Sequence, residues 1–149
     1  PLIVRNEDVI ALANVSETEF KAVCDSELAE IERRRTLYLG NRERVDVAGR
    51  TAIIIDDGIA TGATIRAALR ATRLRKPAKL VLAVPVAPPD IIDQLRSEAD
   101  DIVCLEEHAL FGAIGYYYAD FRQVLDQTVI DTLKRFPPQL RPKSKQPVA

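Results

Sequence analysis

Hydrophobic positions in the first third of the chain recur at the spacing of an amphipathic helix. The residues that would share one helical face are Phe20, Val23, Cys24, Leu28 and Ile31. Just before them, Ser16–Glu19 places a hydroxyl at the cap position and a carboxylate three residues later, which is the pattern of a capping box. The sequence therefore predicts a long N-terminal helix after Ser16, with a charged face that ends in Glu32–Arg35.

Two short apolar runs precede this helix. Leu2–Val4 and Val9–Leu12 are separated by the polar, turn-prone segment Arg5–Asp8. Apolar runs joined by a short polar turn are typical of two paired antiparallel strands. We therefore expect an N-terminal hairpin.

The second part of the chain changes to continuous apolar runs rich in β-branched residues. These runs are Thr51–Ile55, Leu80–Val84 and Ile102–Leu105. A run that is apolar without alternation predicts a strand buried on both faces, as in a parallel sheet. Helical segments are predicted between the strands, from about 63 to 75 and 88 to 99, and again from about 126 to 136. The alternation of strand and helix predicts an α/β fold.

Length and composition bound the remaining possibilities. A chain of 149 residues fits one domain, which we place at 1–136. The segment 137–149 holds four of the nine prolines together with Lys143 and Lys145, so we expect it to be a flexible tail. With 21 basic and 22 acidic residues, binding to nucleic acid through gross charge is excluded.

Location and completeness can also be predicted. No apolar window approaches the ~18 residues of a membrane span, and the first residues lack the layout of a signal peptide. Cys24 and Cys104 stand far apart, which suggests buried, reduced thiols in a cytoplasmic protein. The chain contains no methionine and starts at Pro1, so we expect that residues upstream are missing.

The segment Ile53–Thr64 carries the clearest chemistry. Two carboxylates, Asp56 and Asp57, end the first buried strand, where ligands of open parallel sheets bind. Carboxylates offer only acceptor oxygens and so suit the hydroxyls of a vicinal diol. Thr61–Thr64 then opens a helix whose free N–H groups favour a phosphate. A diol and a phosphate side by side describe a ribose 5-phosphate.

Other phosphate-binding motifs do not match this segment. A P-loop requires a lysine where Ala63 stands, and the spacing from Gly58 to Gly62 is one residue short. A dinucleotide fingerprint is absent. The remaining structural alternative for the acidic pair is a helix-capping or solvated turn.

The segment closely resembles the motif that binds phosphoribosyl pyrophosphate (PRPP) in type I phosphoribosyltransferases. In that motif a hydrophobic strand precedes two acidic residues and then a Thr-Gly-x-Thr loop, here Asp56-Asp57 and Thr61–Thr64. Along residues 1–136 the pattern also resembles bacterial phosphoribosyltransferase-like proteins of unassigned substrate. The resemblance implies a parallel-sheet PRPP-binding fold.

The resemblance also implies a reaction, in which a nitrogenous base attacks C1 of PRPP and pyrophosphate departs, usually with Mg²⁺. Asp56 and Asp57 would be catalytic, engaging the ribose hydroxyls and the water shell of the metal. The 5-phosphate would be held by Ala60, Thr61, Gly62, Ala63 and Thr64. The partners would be PRPP and a small base, in nucleotide metabolism and nucleoside salvage.

Two departures from the family pattern bear on function. Ala60 stands where purine-type members often carry an aspartate near the base, and alanine cannot transfer a proton. No segment before Thr51 resembles the Gly-rich pyrophosphate loop of the family, which agrees with an absent upstream segment.

Further candidate residues have two interpretations each. Arg33, Arg34 and Arg35 are pyrophosphate contacts or a solvated helix end. Phe111 and Asp120 are base-binding residues, by a loose resemblance to purine enzymes, or members of the core. The stripe of Arg66, Arg70 and Arg73 attracts a polyanion or forms a solvated face.

The aromatic segment Phe111–Phe121 and the single histidine allow three narrower expectations. At least one of the residues Tyr116–Tyr118 should be exposed, because three consecutive side chains cannot all face inward. His108, the single histidine, is assigned a structural role. The tyrosine cluster and the hairpin edge are compatible with a homodimer.

Three functions therefore remain open. The first is an Mg²⁺-dependent phosphoribosyltransferase. The second is a non-catalytic PRPP- or nucleotide-binding regulatory module, favoured by Ala60 and by the absent pyrophosphate loop. The third is a generic binder of nucleoside monophosphates through the diol and phosphate contacts alone.

Overall fold

The structure, a computed structural model, describes residues 3–5, 7–40, 42 and 45–137. The described residues within 1–15 and 46–122 form one compact unit, and those within 16–45 and 123–149 form another. The elements in chain order are α1 (Glu7–Leu12), α2 (Glu17–Leu39), β1 (Thr51–Ile55), α3 (Ala63–Arg73), β2 (Lys79–Ala87), α4 (Pro89–Leu95), β3 (Asp101–Glu107), a 3₁₀ helix (Ile114–Tyr117) and α5 (Asp126–Arg135).

The three predicted strands form one parallel sheet in the order β1-β2-β3. The register pairs Thr51 with Lys79 at the start of β1, and Val81 with Asp101 at the start of β3. Strand β2 is longer than predicted because it continues through Ala87. The α/β fold with a parallel sheet is confirmed.

The core lies between one face of the sheet and the helices α3 and α4. Leu80 and Leu82 of β2 are completely buried, as are Leu69 of α3 and Leu95 of α4. Burying side chains of this size contributes about 1.5–3 kcal/mol each to folding. Helix α3 follows β1 and helix α4 follows β2, and the candidate loop is the segment 56–62 that joins β1 to α3.

The prediction that the strands are buried on both faces is wrong for this unit. The side chains on the second face of the sheet are largely exposed, with Ile53 at 59%, Ile55 at 76% and Leu105 at 74%. Along β1 and β2, buried and less buried positions alternate, as on a sheet with one covered face. A continuous apolar run therefore marked strands with apolar residues on both faces, of which one is covered.

The arginine stripe on α3 is neither a free anion-attracting face nor a simply solvated one. Arg66 donates to Gln94 Oε1 at 2.5 Å, Arg70 pairs with Glu98, and Arg73 pairs with Asp100 at 2.9 Å. The Arg73 guanidinium and the Leu80 amide, which also donates to Asp100, hold the pKa of Asp100 below its ordinary value. The stripe thus attaches α3 to α4 and to the start of β3.

The second unit pairs two helices. The capping box at Ser16 is confirmed, with the Ser16 hydroxyl accepting from the Glu19 amide and the Glu19 carboxylate accepting from the Ser16 amide. Helix α2 extends four residues beyond the predicted charged end and stops at Gly40, whose φ of 51° favours glycine. The hydroxyl of Tyr38 donates to Asp126 of α5 at 2.5 Å.

The apolar face predicted for α2 is only partly covered. None of the residues 17–39 is buried, and Val23 and Ile31 are each 59% exposed. The periodicity thus located the helix correctly but overstated its burial.

The predicted N-terminal hairpin is wrong. Residues 3–5 carry no strand, and Glu7–Leu12 form helix α1. Glu7 lies at the start of this helix, where a carboxylate favours the positive end of the helix dipole, and it pairs with Arg5 at 2.8 Å. A helix thus begins at Glu7, within the polar segment interpreted as a turn.

Three expectations concern other parts of the chain. The tail 138–149 lies outside the described residues. Cys24 and Cys104 are both free thiols and only partly buried. Within 3–5, 7–40, 42 and 45–137, no helix combines the length and the apolar character needed to cross a membrane.

The two faces of the sheet should respond differently to truncation. Leu82→Ala removes a completely buried side chain and should lower the free energy of unfolding by about 2–5 kcal/mol. Leu105→Ala, on the 74% exposed face, should change it by less than about 1 kcal/mol. Chemical denaturation followed by circular dichroism measures both, and equal losses would contradict a core on one face only.

Candidate functional site

The acidic pair lies at the carboxyl end of β1, as the sequence predicts. Asp56 is half-buried, and its amide donates to the Ala83 carbonyl of β2 at 3.4 Å. The Asp57 amide in turn donates to Asp56 Oδ1 at 3.0 Å, which fixes the Asp56 carboxylate over the turn. The Asp57 side chain is exposed, so both carboxylates remain accessible to a ligand.

The next two residues anchor the loop to β2. Ile59 is 2% exposed, and its amide donates to the Val86 carbonyl at 3.0 Å. A Cβ at Gly58 would lie 2.9 Å from Ile114 Cγ2 and 3.2 Å from the Val86 carbonyl oxygen. Only glycine fits there without displacing the strand or the segment above it.

The loop then opens helix α3 with a left-handed residue. Gly62 has a φ of 76° and accepts the Arg66 amide at 2.9 Å, so it forms the cap of the helix. No described side chain caps this helix end, which leaves its first amide groups available to an anion. Thr61 and Thr64 are exposed on either side of Gly62 and add hydroxyl donors.

One cavity joins the acidic turn, Asp56–Asp57, to the loop predicted to hold the 5-phosphate. That loop comprises residues 60–64 and is called the phosphate end below. Its volume is about 330 Å³, and it is lined by residues 56–65 together with Ile114. All of the predicted 5-phosphate residues and both aspartates therefore contribute to the same cavity. Volumes of about 300–1,000 Å³ are typical of small-molecule sites.

Burial affects the acidity of the Asp56 carboxyl. Burial raises the pKa of Asp56 above its ordinary value, and the neighbouring Asp57 adds a smaller increase. The Asp57 amide opposes both by donating to the ionised carboxylate. The site thus holds one carboxylate whose charge is partly withdrawn from water, a common feature of functional sites.

The two aspartates fit a metal ion that arrives with a substrate. Among the residues that the structure describes, no cluster of three or more metal-ligating side chains is present. Mg²⁺ is bound through one or two carboxylates together with substrate phosphates rather than by an all-protein cage. Asp56 and Asp57 match that donor set.

The three candidate pyrophosphate arginines lie on α2, in the other compact unit. Arg33 pairs with Glu30 and Asp126, Arg34 also pairs with Glu30, and Arg35 pairs with Glu32. The two arginines beside Glu30 lower its pKa to about 2. Each guanidinium is thus engaged by carboxylates within its own unit, and the pyrophosphate role stays a prediction.

The candidate base-binding residues lie outside the lining of the cavity. Phe111 stacks on Tyr117 with ring centroids 5.1 Å apart, and Tyr117 in turn packs against His108 at 4.7 Å. Asp120 forms an ion pair with Arg122 at 2.6 Å, which lowers the pKa of Asp120. A role in base binding stays a prediction for both.

Sequence reasoning missed two residues of the aromatic segment that contact the acidic loop. Ile114 lies over Gly58, and the Tyr118 hydroxyl donates to the Asp57 carbonyl at 2.6 Å. The sequence indicated only that at least one of the three tyrosines is exposed, and Tyr116 is, at 83%. The signal available was the run of aromatics, which carries no information about which ring contacts which peptide.

Comparison with known proteins shows the family to which the chain belongs. The profile of the family described as "Phosphoribosyl transferase domain" matches residues 12–120, which contain the whole cavity. The chain belongs to this phosphoribosyl transferase family. The type I assignment made from the acidic pair and the Thr-Gly-x-Thr loop is confirmed.

Individual members of the family agree with this. The chain is 41% identical over 132 residues to "Putative phosphoribosyl transferase MT0597" and to "Putative phosphoribosyl transferase Rv0571c", both from Mycobacterium tuberculosis. It is 30% identical to the protein TT1426 from Thermus thermophilus, whose crystal structure matches 93% of this chain with a TM-score of 0.72.

The chain spans only part of the length of these relatives. The matched part covers 89% of this chain but 30% of each mycobacterial relative, and 64% of the Thermus chain. The chain shares the phosphoribosyl transferase fold with them, and its matched part is a fraction of each longer protein.

The raised pKa of Asp56 predicts the pH range in which its carboxyl takes up a proton. Its carboxyl should take up a proton at a higher pH than an ordinary aspartate, so ligand contacts that need the anion weaken earlier on acidification. In Asp57→Asn most of the increase should persist, because burial is its larger cause. Carbon-detected NMR titration measures both proteins.

The same shift predicts a stability effect with a definite sign. A carboxyl whose pKa is raised by folding is destabilised in its ionised form, so the stability that it contributes is lost as the pH rises. Asp56→Asn should therefore be no less stable than the unaltered chain at neutral pH. A marked loss of stability in Asp56→Asn, measured by thermal unfolding, would contradict this account.

Proposed function

We propose that this chain carries the PRPP-binding site of an enzyme that transfers a 5-phosphoribosyl group to a nitrogenous base and releases pyrophosphate. The observation that carries the proposal is the single cavity that joins two carboxylates to an uncapped helix end. A ribose 5-phosphate presents a diol and a phosphate in one molecule that can reach both ends. Membership of the phosphoribosyl transferase family supports the same substrate.

The phosphate end would supply binding energy. The first amides of α3 and the hydroxyls of Thr61 and Thr64 donate to the 5-phosphate, and the helix dipole favours its charge. Gly62 has no side chain to keep the phosphate from the backbone. Its left-handed φ would strain any other residue, and a Cβ there would lie 3.1 Å from the Ile91 side chain. These contacts are the same before and after reaction, so they hold the ribose in place.

The acidic end would act on the reacting carbon. Asp56 and Asp57 accept hydrogen bonds from the ribose hydroxyls, and their charge stabilises the positive charge that develops as the C1–oxygen bond to pyrophosphate breaks. A nitrogen of the base forms the new bond to C1, and its proton leaves with solvent or pyrophosphate. Mg²⁺ would be held by the same two aspartates and would neutralise charge on the departing pyrophosphate.

A second function, a PRPP-binding regulatory module without transfer, is favoured by Ala60. This residue lines the cavity beside the phosphate end, and its methyl group can neither donate nor accept a proton. PRPP binding would then be retained through the phosphate loop and the acidic pair. Position 60 would offer the nitrogenous acceptor no group that transfers a proton. The two functions share the site and differ in turnover.

Replacement of the acidic pair tests the proposal. In Asp56→Asn/Asp57→Asn, pyrophosphate release with Mg²⁺, PRPP and a panel of purine and pyrimidine bases should fall about 100-fold or more, because the charge beside C1 is lost. Calorimetry should show retained but weaker PRPP binding through the phosphate loop. Asp93→Asn, an exposed aspartate of α4 paired with Arg96, is the matched control and should be unchanged.

The outcomes separate the two functions. Turnover that survives in the double variant would overturn the assignment of the acidic pair. PRPP binding by the unaltered chain with no pyrophosphate release on any base would favour the regulatory module. An absence of PRPP binding would exclude both.

A further inference from the structure

Asp57 is held in place by hydrogen bonds of its backbone and not by contacts of its carboxylate. Within the described part of the chain, no hydrogen bond or ion pair involves the carboxylate, although Asp57 is one of the two residues that face the reacting end of the cavity. Its amide donates to Asp56 and its carbonyl accepts from Tyr118 at 2.6 Å. The direction of the carboxylate therefore depends on the two peptide groups that flank it.

The tyrosine that makes this contact is itself held in place. The ring of Tyr118 packs on Phe121 with centroids 5.0 Å apart, and Phe121 lies against the tight turn at Gly115, where a Cβ would be 3.0 Å from the ring. Tyr118 is only partly exposed. Because the ring that carries the hydroxyl is already packed, forming the hydrogen bond costs less conformational entropy.

The aromatic segment also packs against Gly58, the residue that follows the acidic pair. Ile114 lies over Gly58 at a distance that leaves no room for a side chain, and Gly58 rests on Val86 of β2. The peptide group between Asp57 and Gly58 is therefore fixed by a hydrogen bond on its carbonyl and by packing on its α-carbon. Neither contact involves the carboxylates.

We propose that Tyr118 is a positioning residue for the acidic pair, acting through the Asp57 carbonyl to aim the Asp57 carboxylate at the ribose and metal end of the cavity. This inference rests on the proposed function. Tyr118 does not need to touch the substrate, because its hydroxyl proton is committed to the peptide. Its effect should reach the acidic end of the cavity and leave the phosphate end alone, since Ile59 and Gly62 are anchored separately.

The adjacent tyrosines provide a matched control. Tyr116 is 83% exposed and its ring lies beside Gly112, whereas Tyr117 stacks between His108 and Phe111. Tyr116→Phe removes a hydroxyl two residues away while keeping the same chemistry. Tyr118→Phe removes only the atom that reaches Asp57.

The experiment compares affinities for Mg²⁺-PRPP and for inorganic phosphate in the unaltered chain, Tyr118→Phe and Tyr116→Phe by calorimetry. Tyr118→Phe should weaken Mg²⁺-PRPP binding about 3- to 10-fold, the range for one lost hydrogen bond to a neutral group, and leave phosphate binding unchanged. Where turnover is measurable, kcat should fall by a similar factor. Tyr116→Phe should match the unaltered chain in every measurement.

A second variant and a second readout guard against a purely structural effect. Phe121→Leu keeps the hydroxyl but loosens the ring, and should show the same selective loss of PRPP affinity to a smaller degree. In Tyr118→Phe the NMR resonance of the Gly58 amide, which belongs to the peptide that Tyr118 contacts, should shift. In Tyr116→Phe it should not.

Each result decides the proposal. Equal losses of phosphate and PRPP affinity in Tyr118→Phe would show a general loss of the loop, and no loss of either would show that the contact does not position Asp57; both results overturn the inference while leaving the proposed function standing. If the unaltered chain binds phosphate but not Mg²⁺-PRPP, the proposed function fails, and the inference fails with it.

Discussion

Strand β2 is the element on which the geometry of the site depends. It is the central strand, hydrogen-bonded to β1 and β3, and its side chains Leu80 and Leu82 are completely buried. Its last residues stay buried and also support the loop, because the Val86 carbonyl accepts the Ile59 amide while the Val86 side chain lies beneath Gly58. The best-buried strand of the sheet therefore determines where the loop lies.

The two ends of the cavity are positioned by different devices. The phosphate end depends on Gly62 and on helix α3, whose arginines attach it to α4 and to the start of β3. The acidic end depends on hydrogen bonds of the turn itself and on the aromatic segment above it. Rigid neighbours thus hold the loop within narrow limits, which is what binding and catalysis require.

The sequence was sufficient for the parts of the fold that are encoded locally. The capping box at Ser16, the three apolar runs and the Thr-Gly-x-Thr loop each specify their structure within a dozen residues. One error is local, and the others concern contacts between distant segments. Glu7 begins a helix instead of a turn, one sheet face is exposed, and Arg70 finds its partner 28 residues away at Glu98. Periodicity cannot reveal which elements meet, so these contacts required the structure.

The contact between Tyr118 and a main-chain oxygen has a consequence for the evolution of the site. Every residue type at position 57 offers the same carbonyl, so a change of side chain there leaves the hydrogen bond intact. The hydrogen bond itself therefore sets no requirement on the side chain at position 57, although the direction of the Asp57 carboxylate depends on that bond. Tyr118 is thus constrained by the path of the main chain at the turn rather than by the identity of the residue whose carbonyl it contacts.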